Sequence, residues 1–281
     1  MSALALGLIA AVAWGFHDIC VRYLSQTVPL LAALLTVLVV GLLFHLGLMT
    51  VEAGFAQISF AAMAYSVAAG ALFLGASLGL YAAFQRGPVR LVAPIIASYP
   101  ILSVGWAAIR GADVSWGQLL AVLAIILGVS VVAALSGSRS EDVPSKGPTI
   151  FYALIASICF AGTFAVGQIA VEMSEQLPVT LITRIVAVAL LVVLMWFKGE
   201  VFWAGFSALP LLFLMGVADA IALVSVLSAG GLPDAQYAAV AASVFGVLTI
   251  VMAWAFLREP MTVPQWVGCL VTFCGIGYLA L

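Results

Sequence analysis

Few residues in this chain have the chemistry to bind or ionise, and they fall in a small number of places. His17, Asp18 and Arg22 stand within six residues of each other, with Trp14 one turn earlier. On a helix, Asp18 and Arg22 are i and i+4, a spacing at which a carboxylate and a guanidinium pair along one face. Trp14 and His17 share that face, so a neutral His17 could offer a hydrogen bond to a small polar molecule beside the indole. A second charged couple, Arg184 and Asp219, lies on two consecutive apolar segments that run in opposite directions. Counted from their shared end, Arg184 is about 9 Å deep and Asp219 about 15 Å, at 1.5 Å per residue. They can meet as a static ion pair; left alone, Asp219 would be a candidate for proton coupling.

Aromatic residues form the second chemical theme. Trp14, Tyr81, Tyr99, Phe160, Tyr237 and Phe245 stand in five different apolar segments. Aromatics near segment ends commonly anchor a helix at the membrane surface. Trp14 and Tyr99 are near midspan, so with Phe160 they are expected in the wall of an internal cavity. Ser98, Thr163, Gln168 and Ser243 add neutral hydrogen-bonding groups, for cargo or for bonding between helices. His45 is isolated and is read as a packed or interfacial histidine. Pro94 and Pro100 each remove a backbone donor inside one segment and free a carbonyl four residues earlier. They mark a kink or a hinge beside a cavity. Cys20, Cys159, Cys269 and Cys274 sit in apolar runs at spacings that suggest neither a disulfide nor a metal site, and no cofactor is implied.

The elements that hold these residues follow from composition. Of 281 residues, 66% are hydrophobic and 7% charged, with a mean hydropathy of +1.30. A water-soluble domain is about 25% charged. The solvent is therefore lipid, where backbone groups must pair internally. Apolar runs of about 20 residues suit spanning helices. Charges, prolines and glycines divide the chain into ten: 3–23, 29–50, 61–85, 89–109, 117–136, 150–171, 178–197, 207–229, 234–257 and 262–281. Residues 3–23 lack the basic start and small-residue cleavage signal of a leader peptide. A net charge of −2 gives no reason to expect nucleic acid.

The single polar, turn-rich stretch, residues 137–149, falls at the middle. On either side the sequence repeats at offsets of 145 to 147: Leu8-Ile9-Ala10-Ala11-Val12-Ala13-Trp14 against Leu154-Ile155-Ala156-Ser157-Ile158-Cys159-Phe160, Gly87-Pro88…Ala97-Ser98-Tyr99-Pro100 against Leu232-Pro233…Ala242-Ser243-Val244-Phe245, and Gln118…Leu127-Gly128 against Gln265…Cys274-Gly275. In this alignment Pro100 faces Phe245, so only the first half is expected to keep the proline kink. Residues 1–136 and 150–281 are thus two five-helix repeats. An odd number of spans inverts the second, the architecture of many secondary transporters. Basic residues favour one face: Arg22, Arg86, Arg90, Arg139, Lys146, Lys198 and Arg258, against Arg110 and Arg184. By the positive-inside rule that places both termini outside.

Ala13-Trp14-Gly15 in the first segment, Gly87-Pro88-Val89 opening the fourth, and Leu257-Arg258-Glu259-Pro260 with Gln265…Gly268 and Gly275 at the end resemble the EamA-type transporters of the drug/metabolite transporter superfamily. The likeness covers nearly the whole chain and is greatest to the amino-acid exporters. It departs in the first half, where Ala112 stands opposite Glu259. The resemblance implies a multi-pass protein of the cell (inner) membrane with cytoplasmic termini, against the charge count. It also implies a central cavity lined by the first, third, fourth, sixth, eighth and ninth helices, and export as the direction. Absence of several free Arg or Lys in such a cavity favours neutral or zwitterionic cargo over phosphorylated cargo. Drug, nucleoside or sugar carriers of the same fold are alternatives, as is a passive channel. An intramembrane enzyme would want a motif such as H-E-x-x-H, which does not occur; the one G-x-S-x-G match, Gly75-Ala76-Ser77-Leu78-Gly79, lies inside an apolar run, where Gly75 and Gly79 read as a small-residue packing pair and not as a strand-to-helix nucleophile turn. Without a P-loop, ATP-driven pumping by this chain is not expected. One chain holding two inverted repeats should work as a monomer.

Overall fold

The computed structural model describes residues 2–51, 58–102, 105, 115–135, 146–232 and 236–279, the side chains of Gln236 and Tyr237 excepted. Arg110, Arg139 and most of the central linker lie outside the described residues. Every regular element described is helical. Eight stretches are long and apolar enough to cross a membrane, and Val89–Leu102 and Val263–Leu279 are shorter apolar helices.

α1 (Ala3–Leu24) and α3 (Phe60–Arg86) each begin at a serine, Ser2 and Ser59, whose hydroxyl accepts an otherwise unpaired N–H of the first turn. α2 is Leu30–Val51. α4 (Val89–Ala97) follows the Gly87-Pro88 corner. α5 is Trp116–Leu135, and α6 is Lys146–Met173. α7 (Gln176–Lys198) stops at Gly199, whose φ of 65° is the left-handed geometry that a glycine cap supplies. α8 is Leu209–Ser228. The next span is broken into α9a (Gln236–Ala242) and α9b (Phe245–Phe256), and α10 is Val263–Leu279.

α4 and α9 are interrupted at corresponding places, and not by proline alone. The Ser98 hydroxyl donates to the Ile95 carbonyl at 2.7 Å, and the Ser243 hydroxyl donates to the Val240 carbonyl at 2.6 Å. Each serine pairs a carbonyl of the last turn, where the helical ladder stops. The expectation that only the proline-bearing half keeps its kink is therefore corrected: Val244 and Phe245 have no proline beside them, yet the helix breaks there too.

Packing joins the two ends of the sequence. α1 packs on α8 and on both parts of α9, α3 on α6 and α7, α2 on α7 and α8, α4 on α6 and α9b, and α5 on α10. Lipid offers no hydrophobic drive for one apolar helix to prefer another, so close approach at small residues carries much of this association. At Gly79 of α3, a Cβ would stand 2.7 Å from the Tyr152 carbonyl oxygen and 2.9 Å from the Ala156 nitrogen. Only glycine lets α3 and α6 approach so closely. α5 is the least enclosed of the long spans; the buried groups gather between α1, α2, α3, α4, α6, α8 and α9.

Candidate functional site

Trp14, His17 and Asp18 are i, i+3 and i+4 on α1, hence one face, and all three are buried. That face meets Tyr81 and Ser77 of α3, Tyr99 after α4, Phe160 and Phe164 of α6, Asp219 of α8 and Phe245 of α9b. Leu34, Val37 and Leu38 of α2 close the remaining side. The cavity they enclose is small, about 20 Å³, room for roughly one water.

Its wall is aromatic. The Trp14 ring centroid is 6.0 Å from Phe160, 5.5 Å from Phe164 and 6.4 Å from Phe245. Phe164 also meets Tyr99 edge-on at 5.3 Å. The Tyr99 hydroxyl donates to the Ala239 carbonyl, tying the end of α4 to α9a. Such ring pairs favour tilted and edge-to-face contacts, and this set is held at those distances.

Two polar chains cross the aromatic wall. In one, Asp219 accepts from Trp14 Nε1–H at 3.0 Å through Oδ1 and from Arg184 Nη1–H at 2.5 Å through Oδ2. Arg184 has 0% of its surface exposed, and its guanidinium carbon lies 4.8 Å from the Phe73 ring centroid, a cation–π distance. Gly41 makes room for it, since a Cβ there would be 3.1 Å from that carbon. In the other chain, His17 Nδ1 is 2.9 Å from Asp18 Oδ1, and His17 Nε2 is 3.2 Å from the Tyr81 hydroxyl. Asp18 Oδ2 has no hydrogen-bond partner among the described residues.

The helical i,i+4 pair expected between Asp18 and Arg22 does not form. Arg22 instead donates through Nε to Glu259 Oε1 at 3.1 Å and through Nη1 to the Phe84 carbonyl at 2.9 Å. Glu259 also accepts from the Val89 N–H at 2.9 Å, a donor that the first turn of α4 leaves without an intrahelical partner. Arg90 donates to the Pro260 carbonyl at 2.8 Å. The positive φ of Arg258, 54°, turns the chain so that Glu259 reaches this cluster. A tertiary carboxylate with two donors outcompetes a local pairing of modest worth. The result is a latch across the ends of α1, α3, α4 and α9b, one turn beyond Asp18.

Of the residues singled out from sequence, Trp14, His17, Asp18, Tyr81, Tyr99, Phe160, Asp219 and Phe245 come together around the cavity. Arg184 stands behind Asp219. Ser98 and Ser243 bond within their own helices, and Thr163 donates to the Cys159 carbonyl at 2.8 Å; none of the three lines the cavity. Pro94 lies within α4, and Pro100 follows its break. His45 joins α2 to α8, with Nε2 3.1 Å from the Ala220 carbonyl oxygen. Phe164 was not singled out, although it follows Phe160 by four residues and so shares its face. The latch was also missed: nothing in the sequence alone brings Arg22 to a residue 237 positions away.

A membrane-enclosed cavity of this kind, walled by aromatics and crossed by paired charges, invites comparison with known carriers. The profile of the EamA-like transporter family matches residues 1–134 and 147–281, almost the whole chain. The protein belongs to the EamA-like transporter family. Its members are membrane transporters of small substrates, so this chain is a multi-pass membrane transporter and not one expected to catalyse a reaction. Twenty-eight solved chains match it in fold. One, a crystal structure, aligns with a TM-score of 0.74 over 99% of this chain and 98% of its own at 14% identity. That likeness shows the fold alone. No curated protein matches.

Proposed function

We propose that this transporter is a secondary carrier of small neutral or zwitterionic metabolites, amino acids first among them, working by alternating access through the Trp14-walled cavity. The observation that carries the reading is the cavity itself: helices from both halves meet there, and its charges are largely spent on one another. Its lining holds no Lys or Arg among the described residues, because Arg184 is turned onto Asp219. A phosphate, which brings net negative charge, would find no free cation in this wall, whereas a small zwitterion brings no net charge and would find rings for its apolar body and the unpartnered Asp18 Oδ2 for its ammonium group. The roles assigned to Trp14, His17, Tyr81, Tyr99, Phe160 and Phe245 as cargo contacts, to Arg184 and Asp219 as an ion pair, and to Pro94 and Pro100 as hinges belong to this proposal.

Ten spans in two inverted repeats are part of the same reading. The contacts support it, since most have a counterpart with the halves exchanged: α1 on α8 with α6 on α3, α2 on α8 with α7 on α3, and α1 on α9 with α6 on α4. The helix breaks at Ser98 and Ser243, 145 residues apart, are such a pair as well. Residence in the inner membrane, function as a monomer and export as the direction complete the proposal; export rests on resemblance to the amino-acid exporters.

Cargo cannot occupy 20 Å³, so helices must part to admit it. That favours a carrier over an open channel. The test is uptake of radiolabelled neutral amino acids into liposomes holding only this protein. Saturable uptake that falls at least about tenfold in Trp14→Ala supports the reading. Uptake of nucleosides or sugars but no amino acid would overturn the cargo assignment, and non-saturating flux would favour a channel.

A further inference from the structure

Asp18 is 1% exposed, borders the central cavity, and has one carboxylate oxygen without a partner among the described residues. Among the described residues, every other charge facing it is accounted for. On α8, Asp219 is neutralised by Arg184 of α7 at 2.5 Å. On α3, Tyr81 carries a neutral hydroxyl that touches His17 at 3.2 Å. His45 of α2 is turned to the Ala220 carbonyl of α8. Further along α1, Cys20 is a thiol, and Arg22 is held by Glu259 in the latch. Tyr99, beside α6 and α9a, is engaged by the Ala239 carbonyl. The surfaces of α2 and α9b that face the site are Leu34, Val37, Leu38 and Phe245.

This leaves His17 and Asp18 to balance each other. With a neutral imidazole and an ionised carboxylate the pair carries a net negative charge in an apolar interior, a costly arrangement. With one added proton it is neutral, either as imidazolium and carboxylate or as imidazole and carboxylic acid. The 2.9 Å His17 Nδ1 to Asp18 Oδ1 contact serves both forms. The closed cavity, about 20 Å³, has no room for cargo. The cargo-free closed form therefore needs a proton to balance Asp18, whereas in the loaded form the ammonium group of a zwitterionic cargo can take the proton's place beside the unpartnered Asp18 Oδ2.

We propose that the His17–Asp18 pair carries one proton in the empty, closed carrier, and that transport is proton/cargo exchange: the empty carrier returns with the proton, and cargo crosses the other way. When the cavity opens, the pair meets water and gives the proton to a water molecule on that side. No bond to cargo is made or broken. The inference rests on the carrier reading above, but its proton site can be tested without transport.

Two measurements decide it. The first uses the purified protein in detergent and follows thermal unfolding from about pH 7.5 to about pH 9, a range over which an unfolded histidine and aspartate have shed their protons. The folded form keeps one proton that the unfolded chain has lost, so stability falls as pH rises. The wild type should lose several degrees of Tm across that range, by roughly the amount expected of one proton in a protein of this size, and Asp18→Asn, with no charge to neutralise, should lose less. A wild-type Tm that does not fall, or the same fall in Asp18→Asn, would overturn the proton site. The second uses liposomes loaded with cargo and a trapped pH dye, with no imposed pH gradient. Cargo leaving should acidify the interior by about one proton per molecule, and a protonophore should abolish the change. Cargo efflux with no pH change, or with alkalinisation, would overturn exchange. A pH-dependent Tm in a protein that moves no cargo would instead count against the carrier reading while leaving the proton site in place.

Discussion

Trp14 joins the aromatic wall to the charged chain, because its ring packs on Phe160 and Phe164 while its N–H holds Asp219. Trp14→Phe separates the two roles. It keeps an apolar ring and removes one hydrogen bond to a charged acceptor, worth about 1.5–3 kcal/mol. Uptake at low cargo concentration should fall about tenfold or more while the protein remains folded in detergent; unchanged uptake would mean the bond serves neither cargo nor gating. Arg184 tests a different dependence. Arg184→Ala leaves Asp219 buried without its partner, a change that typically costs about 3–5 kcal/mol. Its Tm in detergent should drop markedly. Replacing both partners, Arg184→Met with Asp219→Leu, should restore much of the Tm, since an ion pair exchanged for apolar groups is often neutral in stability. That double variant should still fail to transport if the pair helps to gate or bind.

At the scale of elements, the latch is the contact whose loss should move helices. Glu259 holds both Arg22 of α1 and the first N–H of α4. Glu259→Gln weakens both bonds and should loosen the end of α1 nearest the cavity. Cys20, buried two residues before Arg22, is the reporter. In a protein keeping that cysteine alone, maleimide labelling should speed up about fivefold to tenfold, equivalent to about 1–1.4 kcal/mol. An unchanged rate would mean the latch does not restrain opening. Packing at Gly79 makes a second prediction. Gly79→Leu drives a side chain into the Tyr152 carbonyl and the Ala156 backbone; overpacking of this kind costs about 1–3 kcal/mol or more. Tm should fall, whereas the same change at Gly47, which has open space where a Cβ would stand, should leave it nearly unaltered.

Much of the element scale was legible in the sequence. Segments 3–23, 29–50 and 61–85 correspond to Ala3–Leu24, Leu30–Val51 and Phe60–Arg86, because in lipid an apolar run of that length has one backbone solution. Trp14 and Tyr99, from midspan depth, and Phe160 with them were expected around a cavity, and all three border the central one; Asp219 was expected beside Arg184 and not beside Trp14. What failed was partner choice. The Asp18–Arg22 spacing is genuine, but helical proximity is a weak claim once Glu259 is brought within 3.1 Å of Arg22. Ser98 and Ser243 were expected to reach across to cargo or to other helices; they pair carbonyls of their own helices, since the breaks in α4 and α9 turn the i+4 N–H groups of Tyr99 and Val244 onto other carbonyls and leave Ile95 and Val240 only a tighter i+3 donor.

For the whole molecule, the proposal is that one cavity opens to each side of the membrane in turn. The cavity is closed to cargo-sized molecules here, and the latch and the Tyr99–Ala239 bond stitch together helices on different sides of it. If the halves are related as inverted repeats, two conformations of similar energy follow, each resembling the other with the halves exchanged. The most direct test is a single cysteine at Leu38, a residue of the cavity wall, in an otherwise cysteine-free protein in sealed vesicles. A membrane-impermeant thiol reagent should label Leu38→Cys from either side when applied alone, cargo should protect it on both, and the reagent should not pass through to a dye trapped inside. Labelling from one side only, or passage of the reagent through the protein, would contradict alternating access through this cavity.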